Sequence, residues 1–265
     1  MHLKNFRKAF FALSGAVAIS FLTLTGTFAA EDNSHVYKLA DIDTVVTLPE
    51  DMHGFTRSSS ANDPYLDLIQ VEDVEALTAQ MLRTRTYLEA VPTNDDKVNY
   101  EILVSERTAP ANVTDMNTMS DSDLSDMFTQ YQEQTKTTLE SSKETQEVLD
   151  FSEYKTNAGD RFFVTDMKST NDKGVTVYVK NYYTIRRSHA ILFSIQSNEK
   201  EIDETLQTRM EGILNNVRFE EVKENLLNTP LFSTIINVLI TGGLPVLILV
   251  IILFVLKKST KRHKN

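Results

Sequence analysis

Between residues 147 and 196 apolar and polar side chains alternate with a period of two, the pattern of strands with one face buried. Four strands are predicted there, at 147–155, 161–168, 175–185 and 190–196. The segments between them carry turn chemistry: Asn157-Ala158-Gly159-Asp160, Asn171-Asp172-Lys173-Gly174 and Arg186-Arg187-Ser188-His189. Such short links make the four strands a contiguous antiparallel meander. A different period appears on either side of it. Val74, Leu77, Met81 and Leu88 recur at helical spacing, with Pro92 as the stop, and predict a helix over 73–90. Ser120-Asp121-Ser122-Asp123 supplies short oxygen side chains for a helix start, followed by the apolar stripe Leu124, Met127, Phe128 and Tyr131. After the meander, Ile202, Leu206, Met210, Ile213 and Val217 line one face of a helix over 199–216.

The remaining segments read more simply. Residues 36–48 carry a strand-like run of β-branched side chains, which Pro49 ends because proline has no N–H to give to a ladder. Residues 52–67, with Gly54, Pro64 and several Ser, Asn and Asp, read as an irregular loop. Residues 100–106 form a short strand, 108–119 a polar loop, and 217–222 a last short strand. Helices before and after an antiparallel meander predict an α+β layered fold.

Both ends of the chain break from this pattern. Residues 231–256 contain no charge, and at about 1.5 Å per residue they exceed a bilayer core of about 30 Å. Lys257, Lys258, Lys261, Arg262 and Lys264 follow, and such a cluster keeps its end in the cytoplasm. At the other end, Lys4, Arg7 and Lys8 precede an apolar stretch over 9–28 and the small residues Ala29 and Ala30, the layout of a signal peptide cleaved after Ala29. An uncleaved signal anchor is the alternative, and either form puts the middle of the chain outside. The expected organisation is therefore a signal peptide at 1–30, an extracytoplasmic domain at 31–222, a linker at 223–230, a transmembrane helix at 231–256 and a cytoplasmic tail at 257–265. No LPxTG-type sorting motif precedes the helix, and a GPI signal would not end in basic residues. The helix reads as a permanent anchor, with Thr241-Gly242-Gly243-Leu244-Pro245 as a weak point inside it.

Charge and cysteine content then narrow the setting. The chain carries a net charge of −10, and setting aside the eight basic residues of the two ends leaves −18 for the rest. Such a surface repels nucleic acid and anionic lipid and suits a solvated domain or a basic partner. With no cysteine, the domain has no disulfides and must stand on its own core, which favours a bacterial envelope.

The order of elements also resembles a family. An early strand ends in Leu48-Pro49-Glu50, and Tyr87-Leu88-Glu89-Ala90-Val91 follows the first helix. Next come Glu101-Ile102-Leu103-Val104, the helix through 124–139, and the meander through Gly159-Asp160-Arg161-Phe162-Phe163. Ile213-Leu214-Asn215-Asn216-Val217-Arg218-Phe219 closes the run. Over 36–222 this resembles the PsbP-like α/β/α sandwich, as in membrane-tethered extracytoplasmic proteins of Gram-positive bacteria. The resemblance implies a central antiparallel sheet with helices on both faces. It also implies a non-catalytic binding or assembly role, since members of that fold support photosystem II or bind a small GTPase. No member's ligand carries over to residues of this chain.

Motifs for chemistry are few. The histidines His2, His35, His53, His189 and His263 show no metal-ligand spacing, and no GxSxG, P-loop or GxGxxG occurs. No cofactor, metal site or catalytic residue is expected. Asp115, Asp121, Asp123 and Asp126 crowd a loop and helix start, where carboxylates hold calcium or simply cap free N–H groups. Arg186, Arg187 and His189 sit at a predicted hairpin tip and offer a basic spot to an acidic partner, or form a solvated turn. Asn112-Val113-Thr114 matches the glycosylation sequon, which a bacterial chain does not use. The sequence thus predicts a non-enzymatic envelope-binding or assembly module with a membrane or envelope protein partner. The alternatives are a membrane-bound hydrolase built around His53 or His189, and a sensor that signals through its helix.

Overall fold

The computed structural model describes residues 35–222 except 70, 72, 95–97, 111, 141–144, 171–173 and 199. The expected signal peptide, linker, transmembrane helix and basic tail, with Lys257, Lys258, Lys261, Arg262 and Lys264, lie outside the described residues. Among the described residues no helix is long and apolar enough to cross a membrane.

The predicted strand over 36–48 is a hairpin, β1 (Val36–Leu39) and β2 (Thr44–Thr47), because Asp43 takes a left-handed φ of 48° after a short 3-10 turn. The predicted loop after Pro49 holds a strand, β3 (Met52–Thr56). There Gly54 admits the Tyr37 ring, whose hydroxyl accepts from the Gly54 N–H at 2.8 Å. An added Cβ would lie 2.6 Å from that ring. A one-turn helix α1 (Leu66–Ile69) precedes α2 (Val74–Thr84), which Asp73 caps by accepting from the Ala76 N–H at 2.7 Å.

Helix α2 is shorter than its sequence pattern. Arg85 turns left-handed at φ 55°, and the chain continues as β4 (Thr86–Pro92) instead of helix. Leu88 fits the helical spacing, yet it is buried from the sheet. The reason is tertiary: Leu88 and Ala90 complete one face of the core while Val91 completes the other.

The rest follows the alternation. Strand β5 (Tyr100–Arg107) leads to α3 (Asp121–Glu140), which Ser120 caps through the Asp123 N–H. The meander is β6 (Thr145–Lys155), β7 (Arg161–Thr170), β8 (Thr176–Arg186) and β9 (His189–Ser197). Helix α4 (Glu204–Leu214) begins at the cap Asp203, later than the pattern predicts, and β10 (Arg218–Phe219) follows.

The larger sheet has seven strands in the order β3-β4-β5-β9-β8-β7-β6, and the smaller has three in the order β1-β2-β10. All pairings are antiparallel. The α+β class holds, with two sheets where one was expected. Alternation divides the large sheet into two unlike faces. On the first, Leu88, Ala90, Ile102, Val104, Phe162, Val164, Tyr182, Ile191, Phe193 and Ile195 join α4 and the small sheet in one continuous core. On the second face there are two separate clusters. One gathers Phe55, Leu77, Met81, Val91, Met167 and Val179 near α1 and α2; the other gathers Phe163, Tyr183, Ile185 and Ala190 under Leu124 and Met127 of α3.

Candidate functional site

The strand register explains why the second face is split. Thr86, Ser105, Leu192, Tyr183 and Phe163 lie side by side across β4, β5, β9, β8 and β7. In the next row stand Leu103, Ser194, Asn181 and Thr165. A band of hydroxyl and amide groups therefore crosses the interior face between the two apolar clusters. Helix α3 spans it from above with Tyr131, Gln134, Thr135 and Thr138, and a cavity of about 340 Å³ remains between helix and sheet. That volume is at the lower end of small-molecule sites.

Most of the lining polar groups are paired with one another. The Ser194 hydroxyl donates to Asn181 Oδ1 at 2.6 Å, and the Asn181 amide reaches Met167 Sδ at 3.4 Å. Tyr131 and Thr165 share a hydroxyl–hydroxyl bond of 2.8 Å, as do Thr84 and Thr86. The Tyr131 ring stacks on Tyr183 with centroids 5.3 Å apart. Two strong donors differ from the rest. The Tyr183 hydroxyl has no hydrogen-bond partner among the described residues, and burial pushes its pKa up. Arg107, from the last position of β5, lines the cavity without an ion-pair or hydrogen-bond partner among the described residues. Burial, and after it the nearby charge of Arg85, holds the Arg107 pKa below its ordinary value. Arg85 itself is matched, since its guanidinium donates to Glu106 at 2.7 Å.

A site of this kind can hold and orient a ligand. The described residues lining it include no histidine and no carboxylate, so it offers no ordinary general base for Ser105 or Ser194.

The residues singled out from sequence lie elsewhere. Arg186 donates to Asp115 at 2.9 Å and approaches Asp160 at 3.4 Å, binding the hairpin end of β8 to the loop ahead of α3. Arg187 donates to Asp43 Oδ2 at 2.8 Å, and the other Asp43 oxygen accepts from the Val222 N–H at 3.3 Å. His189 Nδ1 meets Glu106 Oε1 at 3.0 Å. The three basic residues are adjacent, but each has a partner within the chain. Arg187 and Ser188 have φ of 49° and 69°, so the predicted tight turn is present.

The aspartates disperse into local roles. Asp115 accepts from the Asn117 N–H at 2.8 Å, Asp121 pairs with Arg161 at 2.9 Å, and Asp123 accepts from the Ser120 hydroxyl at 2.7 Å. Asp126 lies one turn further along α3. Among the described residues no group of three or more His, Asp or Glu side chains is placed to hold a metal. His53 Nε2 meets Asp63 at 2.8 Å and packs on Phe55 and Tyr65. Neither His53 nor His189 lines the cavity.

Sequence reading passed over the cavity residues. Their signal was present: Ser105, Thr165, Asn181 and Ser194 occupy alternate positions whose in-phase neighbours are apolar, such as Leu103, Met167, Val179 and Leu192. Polar side chains on a covered strand face are the departure that marks a site.

No family model and no curated protein matches the sequence. Among solved structures the chain is similar to cyanobacterial PsbP (CyanoP) from Synechocystis sp. PCC 6803, at 10% identity over 73% of this chain and 97% of that one, with a TM-score of 0.42. A protein of unknown function from Pseudomonas aeruginosa is similar at 8% identity over 68% of this chain and 92% of that one, with a TM-score of 0.35. A protein from Bacteroides thetaiotaomicron VPI-5482 is similar at 9% identity over 73% of this chain and 50% of that one, with a TM-score of 0.39. CyanoP lies in the family that the sequence resembles, but likeness at this level assigns neither membership nor role.

Proposed function

We propose that the protein is a non-catalytic binding module of a bacterial envelope, tethered by residues 231–256 with its α+β domain outside the cell. The observation that carries the binding role is the cavity under α3. It has polar groups that orient a ligand, apolar walls from Leu103, Met167 and Leu192, and no acid–base pair among its described lining. The tether rests on the uncharged run at 231–256 and the basic residues after it. An envelope partner is part of the reading, because a short linker at 223–230 keeps the domain near the membrane surface. The membrane-bound hydrolase is the competing reading. It needs a serine or a carboxylate pair converging with His53 or His189 in a pocket, whereas each of these rings meets a single carboxylate away from the cavity.

The test uses full-length protein purified in detergent and incubated with a small-molecule extract of the producing cells. Compounds retained after gel filtration are identified by mass spectrometry, and the unbound pool is assayed in parallel. A compound retained near one per protein and recovered unchanged is expected. Progressive consumption of that compound in the unbound pool would instead establish an enzyme and end the binding-module reading.

A further inference from the structure

Arg107 presents a question that the fold does not answer. The Arg107 side chain is only partly open to water, and a guanidinium so placed is better served by a carboxylate or a set of oxygen acceptors than by none. Other arginines show how this chain meets that need: Arg85 has Glu106, Arg186 has Asp115, Arg187 has Asp43, and Arg209 has a two-pronged bond to Asp51 at 2.8 and 2.7 Å. In a domain this acidic, an arginine lining a cavity without an acid is an exception. The Tyr183 hydroxyl is a second donor lining the same cavity, and it too lacks an acceptor among the described residues. Both are therefore free to donate to a ligand in the cavity.

We propose that the cavity under α3 binds a small organic carboxylate, with Arg107 as its counter-ion. This inference rests on the binding-module reading above and names the ligand class. A planar guanidinium takes a single carboxylate in a paired fork. Arg85 is the other cation nearby, but Glu106 already matches it, so Arg107 offers one unmatched charge and suits one negative charge better than a phosphate dianion. The body of the ligand lies along Leu103, Leu192 and the Tyr131–Tyr183 stack, where aromatic faces and apolar walls accept a ring or a short chain. Ser105 lies next to Thr86 across the strands and places a hydroxyl beside it.

Isothermal titration of the full-length protein in detergent tests this with matched probes. Benzoate, pyruvate and gluconate are the carboxylates; benzamide, pyruvamide and sorbitol are their neutral counterparts; inorganic phosphate is the competing anion. Binding of at least one carboxylate is expected, with its neutral counterpart and phosphate at least tenfold weaker. Arg107→Met is expected to weaken that carboxylate at least tenfold while its thermal midpoint stays equal or rises, which separates lost binding from lost folding. Failure of all three carboxylates to bind overturns the proposal. So does equal binding of a neutral counterpart, tighter binding of phosphate, or full affinity in Arg107→Met. A neutral compound retained from the cell extract, bound equally by Arg107→Met, would overturn the carboxylate and leave the binding module standing.

Discussion

The two faces of the seven-stranded sheet come from the same strands, residue by residue in alternation, yet they differ in kind. The first face is mainly apolar from β4 to β7 and lies under α4 and the small sheet, so its side chains form one core; its buried Thr184 hydroxyl donates to the Arg161 carbonyl at 2.8 Å, and Lys180 pairs with Asp166 at 3.1 Å. Where polar groups approach its rim they are matched, as Arg209 is by Asp51, and Asn215 donates to the Tyr154 hydroxyl at 2.9 Å. The second face divides its apolar residues between two clusters, and a band of Ser, Thr and Asn separates them. It also buries Gln196, whose side-chain nitrogen and oxygen have no hydrogen-bond partner among the described residues. A sheet made only for stability would carry apolar side chains on both covered faces. The first face holds the fold, and the second carries the cavity proposed to take a ligand.

That comparison is exposed to test where each face is most committed. Phe193 is fully buried on the first face, in contact with Phe162 and Phe219 rings. Phe193→Ala is expected to cost about 3–5 kcal/mol in urea unfolding of the full-length protein. A loss below about 1 kcal/mol would show that this face is not the core. Gly54→Ala presses a Cβ against Tyr37 and Leu88 and is expected to cost about 1–3 kcal/mol by the same measurement. On the second face the sign reverses: Gln196→Met removes two buried unpaired polar atoms and is expected to raise stability by about 1 kcal/mol.

A smaller effect belongs to the rim of the first face. The Arg209 guanidinium, through its hydrogen bonds, holds the Asp51 carboxyl below the usual carboxylate range. A carboxylate with a depressed folded pKa contributes stability that is present above its unfolded pKa, near about 3.9, and is lost as the pH falls through the folded value. Both side chains remain partly exposed, so the contribution is at most about 1 kcal/mol. The stability difference between the parent and Arg209→Met is therefore expected at neutral pH and should vanish under acid. A difference that persists at pH 2 would assign it to the guanidinium lying over the Tyr100 ring, 5.9 Å from its centroid.

The meander was legible in the sequence because its strands alternate cleanly and its turns need Gly159 and the Arg187-Ser188 pair at positive φ. The segment 86–92 was not. Leu88 satisfies a helical period by accident of spacing, and only the sheet on either side shows that Leu88 and Val91 point to opposite cores. Strand β3 was missed for a related reason: a glycine that reads as a loop former is here the space into which Tyr37 packs. The candidate site stayed hidden because period two reveals which residues share a face and not whether that face is covered. Ser105, Asn181 and Ser194 became informative once α3 was seen to lie over them. The basic hairpin tip drew attention as a local cluster, while its acidic partners Asp43, Glu106 and Asp115 lie far away in sequence.

Whether Arg107 is kept for a ligand at a cost to folding is read from the unfolding free energy of Arg107→Met without added ligand. An arginine retained to meet a ligand is a cost in the empty protein, so the substitution is expected to raise stability by about 0.5–1 kcal/mol. A fall of about 1 kcal/mol or more would show that Arg107 serves the fold and is not held for a ligand.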